Sequence, residues 1–384
     1  MDRGLYDADH EAFRETVQTF VAAEVTPKLA RWDSQRLIDR DTWRVAGRQG
    51  IVGLSGPAEF GGGDMSDYRF RNVIMEELAR VGAGSLMSSF SLHDDIVMPY
   101  FTALATARQR DQWLPGMCTG QLIAAIAMTE PGTGSDLRAI TTAARKVEGG
   151  WRLDGAKTFI TSGIQSDLVV VVTRTDPHGG SRGFSLLVVE DGAAGFSRGR
   201  KLDKIGLAAQ DTAELFFDDV FVPEENLLGV EGGALRHLRQ HLPLERLSIA
   251  AIAIASADAA LQWTIDYVQQ RAAFGERIAD FQNTQFALAE IATELDVTRA
   301  YVDKAVLAQG AGTLTPVEAA KAKWWATDVQ NRVIDRMLQL HGGYGYMMEY
   351  PIARAFLDAR AQRIYGGTNE IMKQIVAWSL VGRS

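Results

Sequence analysis

The sequence predicts a three-part α+β chain, with a helical domain over 1–122, a β domain over 123–229 and a helical bundle over 230–384. Three observations carry this prediction. Apolar residues recur at helical spacing as far as Cys118; strand-like runs between Gly, Asp and Pro turns fill the middle; long Ala-rich helical stretches follow Gly229. A chain of 384 residues has room for about two to three domains and a sizeable core.

In the first domain, Phe13, Val17, Phe20, Val21 and Val25 form one apolar stripe over 9–32. Pro27 should kink or end that helix, because it lacks an N–H and clashes with the preceding turn. A second helix is expected over 41–49, a Gly/Pro-rich break over 50–63, and further helices over 66–80, 85–103 and 107–118. His93-Asp94-Asp95 reads as a solvated helix face or a cap rather than a catalytic cluster. In the middle, Gly149-Gly150 turns the chain into a largely alternating strand over 151–160. The unbroken apolar run over 168–173 predicts a strand buried on both faces. Further strands are expected over 183–190 and 213–217. Beyond them come helices over 242–271 and 280–309. A third is opened by Thr315 as N-cap, Pro316 at N1 and Glu318 as capping-box partner. That helix runs to about His341, Gly342-Gly343 ends it, and shorter helices over 352–360 and 370–380 close an antiparallel bundle.

Composition narrows the function. A formal charge of −8 argues against a general nucleic-acid surface, which needs a dense basic face. One cysteine, Cys118, and six scattered histidines without a His-Glu-x-x-His pattern give no disulfide and no metal signal. Cys118 reads as a small inert residue near a helix end. No Gly-x-Gly-x-x-Gly follows a strand and there is no P-loop, so a dinucleotide Rossmann fold is not supported. No apolar run approaches the ~18 residues of a membrane span. The N-terminus has neither an apolar signal core nor an Arg-rich transit composition, so the expected compartment is the cytoplasm.

The stretch Met128-Thr129-Glu130-Pro131-Gly132-Thr133-Gly134-Ser135-Asp136 cannot continue a helix. It offers backbone N–H groups and three hydroxyls to a polar ligand. Alone it is an ordinary loop. With Lys157-Thr158-Phe159-Ile160-Thr161-Ser162-Gly163 downstream, the pair resembles the flavin-binding middle domain of the acyl-CoA dehydrogenases. The helix–strand–helix order repeats that family's domain order over essentially the whole chain. The resemblance implies a helical N-terminal domain, a middle β-sheet or barrel domain and a C-terminal bundle of four-helix type. It places Met128, Thr129, Phe159 and Thr161 against the flavin, Phe159 as an aromatic wall, with Thr368 and Glu370 also at the cofactor. Ser135 and Arg246 would meet the CoA thioester.

Gln270-Arg271-Ala272-Ala273-Phe274-Gly275, together with Gln282, resembles the family segment that reaches a neighbouring subunit's FAD. There Arg271 would meet the pyrophosphate, and Phe274 and Gln282 the adenosine portion. Gln339 and the Gly342-Gly343 backbone would lie at the adenine end. Such sharing implies a dimer at least, and a dimer-of-dimers tetramer is expected.

The chemistry needs one strong base, because a thioester Cα–H is a poor acid. In much of the family this Glu directly precedes the Gly-Thr of a C-terminal Tyr-Glu-Gly-Thr. Here the segment is Tyr365-Gly366-Gly367-Thr368, so the place is held by Gly366. The long-chain and isovaleryl branches carry a small residue there and put the base in a segment like Leu242-Pro243-Leu244-Glu245-Arg246-Leu247. Alone, Glu245 reads as a surface carboxylate near a helix start; paired with Gly366, it reads as the base. The resemblance thus implies an FAD-dependent α,β-dehydrogenation of an acyl thioester to a trans-2-enoyl product. Glu245 takes the α-proton, the β-hydride goes to flavin N5, and the Gly366 N–H holds the thioester oxygen. Electrons would pass on to an electron-transfer flavoprotein. Flavin oxidases or monooxygenases of this fold, and a silent flavoprotein assembly partner, are the alternatives.

Overall fold

A computed structural model describes residues 3–382; the outermost residues of the first and last expected domains, 1–2 and 383–384, lie outside the described residues. Helix α1 (Ala8–Phe20) is capped by Asp7, whose carboxylate accepts the N–H groups of Asp9 and His10. The chain is irregular where Pro27 was expected to disturb it. Val21–Val25 forms a π turn, Thr26–Lys28 a 3₁₀ turn, and α2 (Leu29–Gln35) then resumes. Next come α3 (Arg40–Arg48), α4 (Tyr68–Arg80), α5 (Gly84–Ser91), α6 (Met98–Leu104) and α7 (Ala107–Cys118). The helix expected over 85–103 is α5 and α6 joined by a π turn at Leu92–Val97.

That turn corrects the reading of His93-Asp94-Asp95 as a solvated face or cap. All three side chains are buried. Arg71 of α4 pairs with Asp94 at 3.1 Å and Asp95 at 2.9 Å, and Asp94 also accepts the Gly53 N–H at 3.0 Å. The His93 ring lies 3.0 Å from the Met117 carbonyl and accepts the Ala124 N–H at 3.2 Å. Burial of such groups is tolerated because each finds a partner from another element. The cluster therefore ties α4, the π turn, α7 and the first strand together. Cys118 is buried at the end of α7, and burial pushes its thiol up to about 12, so it is unreactive.

The sheet holds β1 (Ala124–Ala127), β2 (Ala143–Val147), β3 (Gly150–Thr161), β4 (Leu168–Arg174), β5 (Phe184–Glu190), β6 (Phe196–Lys201), β7 (Thr212–Pro223) and β8 (Leu227–Leu228). The order is β6-β7-β3-β2-β4-β5-β8, with β1 parallel to β4. β4 is buried on both faces as expected: Leu168, Val170 and Val172 enter one core, Val169 and Val171 another. β7 extends well past the expected 213–217.

α8 (Ala234–Gln270) is followed by the small hairpin β9 (Ala272–Ala273) and β10 (Glu276–Arg277). Then come α9 (Gln282–Gly310), α10 (Pro316–Leu340), α11 (Pro351–Ala359) and α12 (Asn369–Val381). The capping box at Thr315 and Glu318 is formed, and Gly342, at φ +57°, follows the end of α10. α8 begins well before the expected 242 and runs through Pro243. A proline inside a helix costs about 3 kcal/mol. Here Ala234, His237 and Leu238 are buried, and that burial holds the segment helical across the break. Ala250, Ala253, Ala257 and Ala260 share a core with Ala322 and Ala326 of α10, the small side chains allowing close approach. No helix among the described residues is long and apolar enough to cross a membrane.

Candidate active site

Because α8 starts early, Glu245 sits inside it and not at its start, and the side chain is only 7% exposed. The surface-carboxylate reading therefore falls. Burial pushes its carboxyl up to about 7, although Arg246 and Lys323 pull it down. Facing it is the turn at Gly366 and Gly367, with φ +66° and +89°. A Cβ on Gly366 would lie 3.4 Å from Glu245 Oε1 and 2.3 Å from Ile249 Cδ1. The backbone passes so close to α8 that only glycine fits without displacing Ile249. Arg246 is 8% exposed and its Nε has no hydrogen-bond partner among the described residues. A buried guanidinium with an open donor suits an anionic or carbonyl ligand.

The two motif stretches are joined by a buried ion pair to which the sequence reading gave no role. Glu130 accepts the Thr141 N–H and hydroxyl, both at 2.7 Å, the Thr142 N–H at 2.9 Å and the Lys157 ammonium at 2.9 Å. Lys157 is fully buried and also donates to the Met128 carbonyl at 3.1 Å, while the Thr158 N–H donates to the Thr129 carbonyl at 2.9 Å. Burial would raise the Glu130 carboxyl, but bonds from Thr142, Thr141 and Lys157 outweigh it and hold it at about 2. Burial brings Lys157 down to about 8 against the pull of Glu130.

β3 breaks its regular pairing twice, first between Leu153 and Gly155 and again past this ion pair. Its register against β7 shifts between Lys157 and Ile160, and Phe159 takes a left-handed φ of +59° with 68% of its surface exposed. A non-glycine residue held there is strained, a feature concentrated at functional sites. Thr161 is half-buried opposite Thr212; Met128 and Thr129 are half-buried, and Ser135 is exposed in the loop before β2.

A third group lines an open cleft of about 910 Å³: Arg271, Phe274, Gln339, Gly342, Gly343 and Tyr344. Phe274 is 98% exposed, and the Arg271 guanidinium sits 5.6 Å from the Tyr344 ring centre. Gln282 is exposed at the start of α9, between the lining residues Phe281 and Asn283. Thr368 caps α12 by accepting the Ile371 N–H at 3.4 Å, and Glu370 is exposed in the first turn beyond it.

The residues singled out in the sequence thus fall into three clusters: Glu245, Arg246 and Gly366 with Thr368 and Glu370; Met128, Thr129, Phe159 and Thr161; and the Arg271–Gly343 cleft. Their surfaces fit a flavin dinucleotide. Phe159 and Phe274 present uncovered aromatic faces to a flat ring. At Gly342 and Gly343 nothing lies within 4 Å of a would-be Cβ, which leaves the backbone open to approach. Sequence reasoning passed over Lys323, also fully buried. Its signal was a lysine placed on the alanine-lined core face of α10 with Ala319, Ala322 and Ala326.

Three family models match the chain: acyl-CoA dehydrogenase N-terminal domain over 7–121, middle domain over 125–220 and C-terminal domain over 233–381. The chain is 46% identical to the mitochondrial long-chain specific acyl-CoA dehydrogenase of Sus scrofa, over 99% of its own length and 88% of that protein. It is 33% identical to the mitochondrial isovaleryl-CoA dehydrogenase of Arabidopsis thaliana, over 98% of this chain and 92% of the relative. A crystal structure of an acyl-CoA dehydrogenase from Geobacillus kaustophilus matches with a TM-score of 0.95 and 45% identity, covering 98% of this chain and 99% of that one.

Proposed function

Because the chain belongs to the acyl-CoA dehydrogenase family, we propose that Glu245 is the base that removes the α-proton of its acyl thioester substrate. The reaction is an α,β-dehydrogenation giving an enoyl thioester. FAD, the cofactor of this chemistry, supplies the acceptor for the hydride leaving Cβ. The observation carrying the assignment is the 3.4 Å between Glu245 Oε1 and the Cβ position of Gly366. A carboxylate on α8 and one on the Gly366 turn would approach the same point, so either place serves the same Cα. Burial holds the Glu245 carboxyl near neutrality, where a general base works best. The Gly366 N–H is the proposed donor to the thioester oxygen, where charge develops as the α-proton leaves. Arg246, with its open Nε, is proposed to orient the substrate, and Ser135 to meet its CoA arm.

Met128, Thr129, Phe159, Thr161, Thr368 and Glu370 are proposed to hold the isoalloxazine end of the cofactor. Arg271, Phe274, Gln282, Gln339, Gly342 and Gly343 are proposed to hold a neighbouring subunit's dinucleotide end. The openness of their cleft supports that sharing, and with it a dimer or dimer-of-dimers tetramer. The proposed domains run 1–122, 123–229 and 230–384. An electron-transfer flavoprotein is the proposed electron acceptor and the cytoplasm the proposed compartment.

The test is anaerobic mixing with a panel of acyl-CoAs. Bleaching of the flavin and a charge-transfer band with a subset of chain lengths are expected, with both lost in Glu245→Gln. Full bleaching by the Glu245→Gln protein would place the base elsewhere. No bleaching with any member, but turnover of nitroalkanes in oxygen, would favour the oxidase alternative.

A further inference from the structure

Lys323 is fully buried, yet among the described residues its ammonium forms no salt bridge. It donates to the Gly367 carbonyl at 2.8 Å and to Asn369 Oδ1 at 2.9 Å. The Asn369 amide in turn donates to Asp328 at 2.9 Å and to the Thr327 hydroxyl at 3.0 Å. Desolvating an ammonium is costly, and two neutral acceptors compensate it poorly. Such a group is expected where its charge serves something beyond stability.

What it serves follows from its first acceptor. Gly366 and Gly367 are two successive left-handed residues without side chains to anchor them. Upstream, the Tyr365 N–H donates to the Ala361 carbonyl at 3.1 Å. Downstream, the Gly367 carbonyl is held by Lys323, and Thr368 caps α12. The Gly366 N–H is therefore presented between two fixed ends. The charged neighbours of Lys323 are Glu245 and Arg246 from α8, Asp328 from α10 and Glu370 from α12.

We infer that Lys323 is a positioning residue of the dehydrogenation: its ammonium pins the Gly366–Gly367 turn so that the Gly366 N–H meets the thioester oxygen, and its positive charge favours the ionised form of Glu245. This rests on the reading of Glu245 and Gly366 given above. Burial lowers Lys323 to about 7, a position that makes its charge responsive to those four neighbours.

The experiment compares holoenzyme with Lys323→Met and Lys323→Gln by two readouts. The first is the carbonyl stretch of a bound ¹³C-labelled 2-enoyl-CoA, read by difference infrared spectroscopy. In Lys323→Met it is expected to move to higher frequency, as the oxygen loses its aligned donor. The second is the acid limb of kcat/KM against pH, which should move upward because Glu245 loses a neighbouring cation. The other groups facing Glu245, Arg246 on its own helix, Tyr100 on α6 and Tyr365 before the turn, stay in place. Turnover at pH 7 should fall about tenfold or more. Lys323→Gln keeps an N–H for Gly367 and should restore the infrared frequency without restoring the limb. If Lys323→Met does not retain FAD, that split in Lys323→Gln decides the matter alone. An unmoved carbonyl band and an unmoved limb, with only stability changed, would overturn the inference. Repeating the infrared measurement in Glu245→Gln separates the two assignments, because the band reports the turn whether or not Glu245 is the base.

Discussion

At Glu245, the proposed base, the burial that raises the carboxyl also acts on the fold. Its carboxyl sits at about 7, above the ordinary 4.5, so the native state favours the protonated form. The stability this contributes is fully present below pH 4.5 and is lost as pH rises through about 7. Glu245→Gln should therefore gain stability relative to the parent at pH 8 but not at pH 4, by denaturant titration at both. The same substitution should remove the kcat/KM limb near pH 7 and lower the rate about 100- to 10,000-fold. Moving the base tests the geometry further. A glutamate at position 366 must adopt a left-handed backbone, at a cost of about 1–2 kcal/mol, and push aside Ile249 Cδ1, 2.3 Å from its Cβ. Glu245→Gly with Gly366→Glu is expected to regain little rate until Ile249→Ala is added. Equal failure of the double and triple variants would sink the idea that both positions address one Cα. The meeting of Glu245 with the Gly366 turn, on which the proposed base rests, was legible in the sequence from the two segments read together. Ile249 was not, because a contact between α8 and a turn more than a hundred residues later leaves no local pattern.

Among the elements, β3 shows how far local pattern reaches. Its start, from Trp151 to Asp154, alternates and was readable; beyond it two register shifts break the pattern, the second holding Phe159 in a left-handed conformation. The strands that escaped prediction each lack a readable apolar alternation. β2 is mostly exposed and charged, and β6, with Arg198, Arg200 and Lys201, is the sheet edge, where charge discourages pairing with other chains. β1 is too short and Ala-rich to show a period. The Glu130–Lys157 pair anchors the inverted segment to the loop after β1. Lys157→Met takes the cationic partner from a buried carboxylate and should cost about 3–5 kcal/mol, seen as a lower denaturation midpoint. Adding Glu130→Leu should return part of that loss, since replacing both members of a buried pair is far milder than removing one. A double variant no more stable than Lys157→Met would mean the Thr141 and Thr142 bonds, and not the ion pair, hold the loop.

Over the whole molecule, the switch of hydrophobic period from helix to strand and back made the three-part order readable, and the Ala-rich stripe of α8 made the bundle readable. The early start of α8 was hidden because Pro243 is a helix breaker in isolation and is overridden here by burial around it. Arg271 and Phe274 stand out in the opposite way, as exposed side chains at the mouth of a cleft open to solvent. Arg271→Glu should weaken FAD retention and the oligomer together, read by flavin absorbance and sedimentation. A stable monomer holding one FAD per chain would contradict the proposed sharing. The proposed sharing, drawn from the open cleft, implies that each catalytic unit is a composite of two chains, with the base from one and the dinucleotide clamp from the other. Inactive Glu245→Gln subunits and inactive Arg271→Glu subunits, unfolded together and reassembled, should then complement each other. In a mixed pair one site carries both lesions and the other carries neither, so up to half of the sites in mixed dimers recover turnover although every chain present is defective.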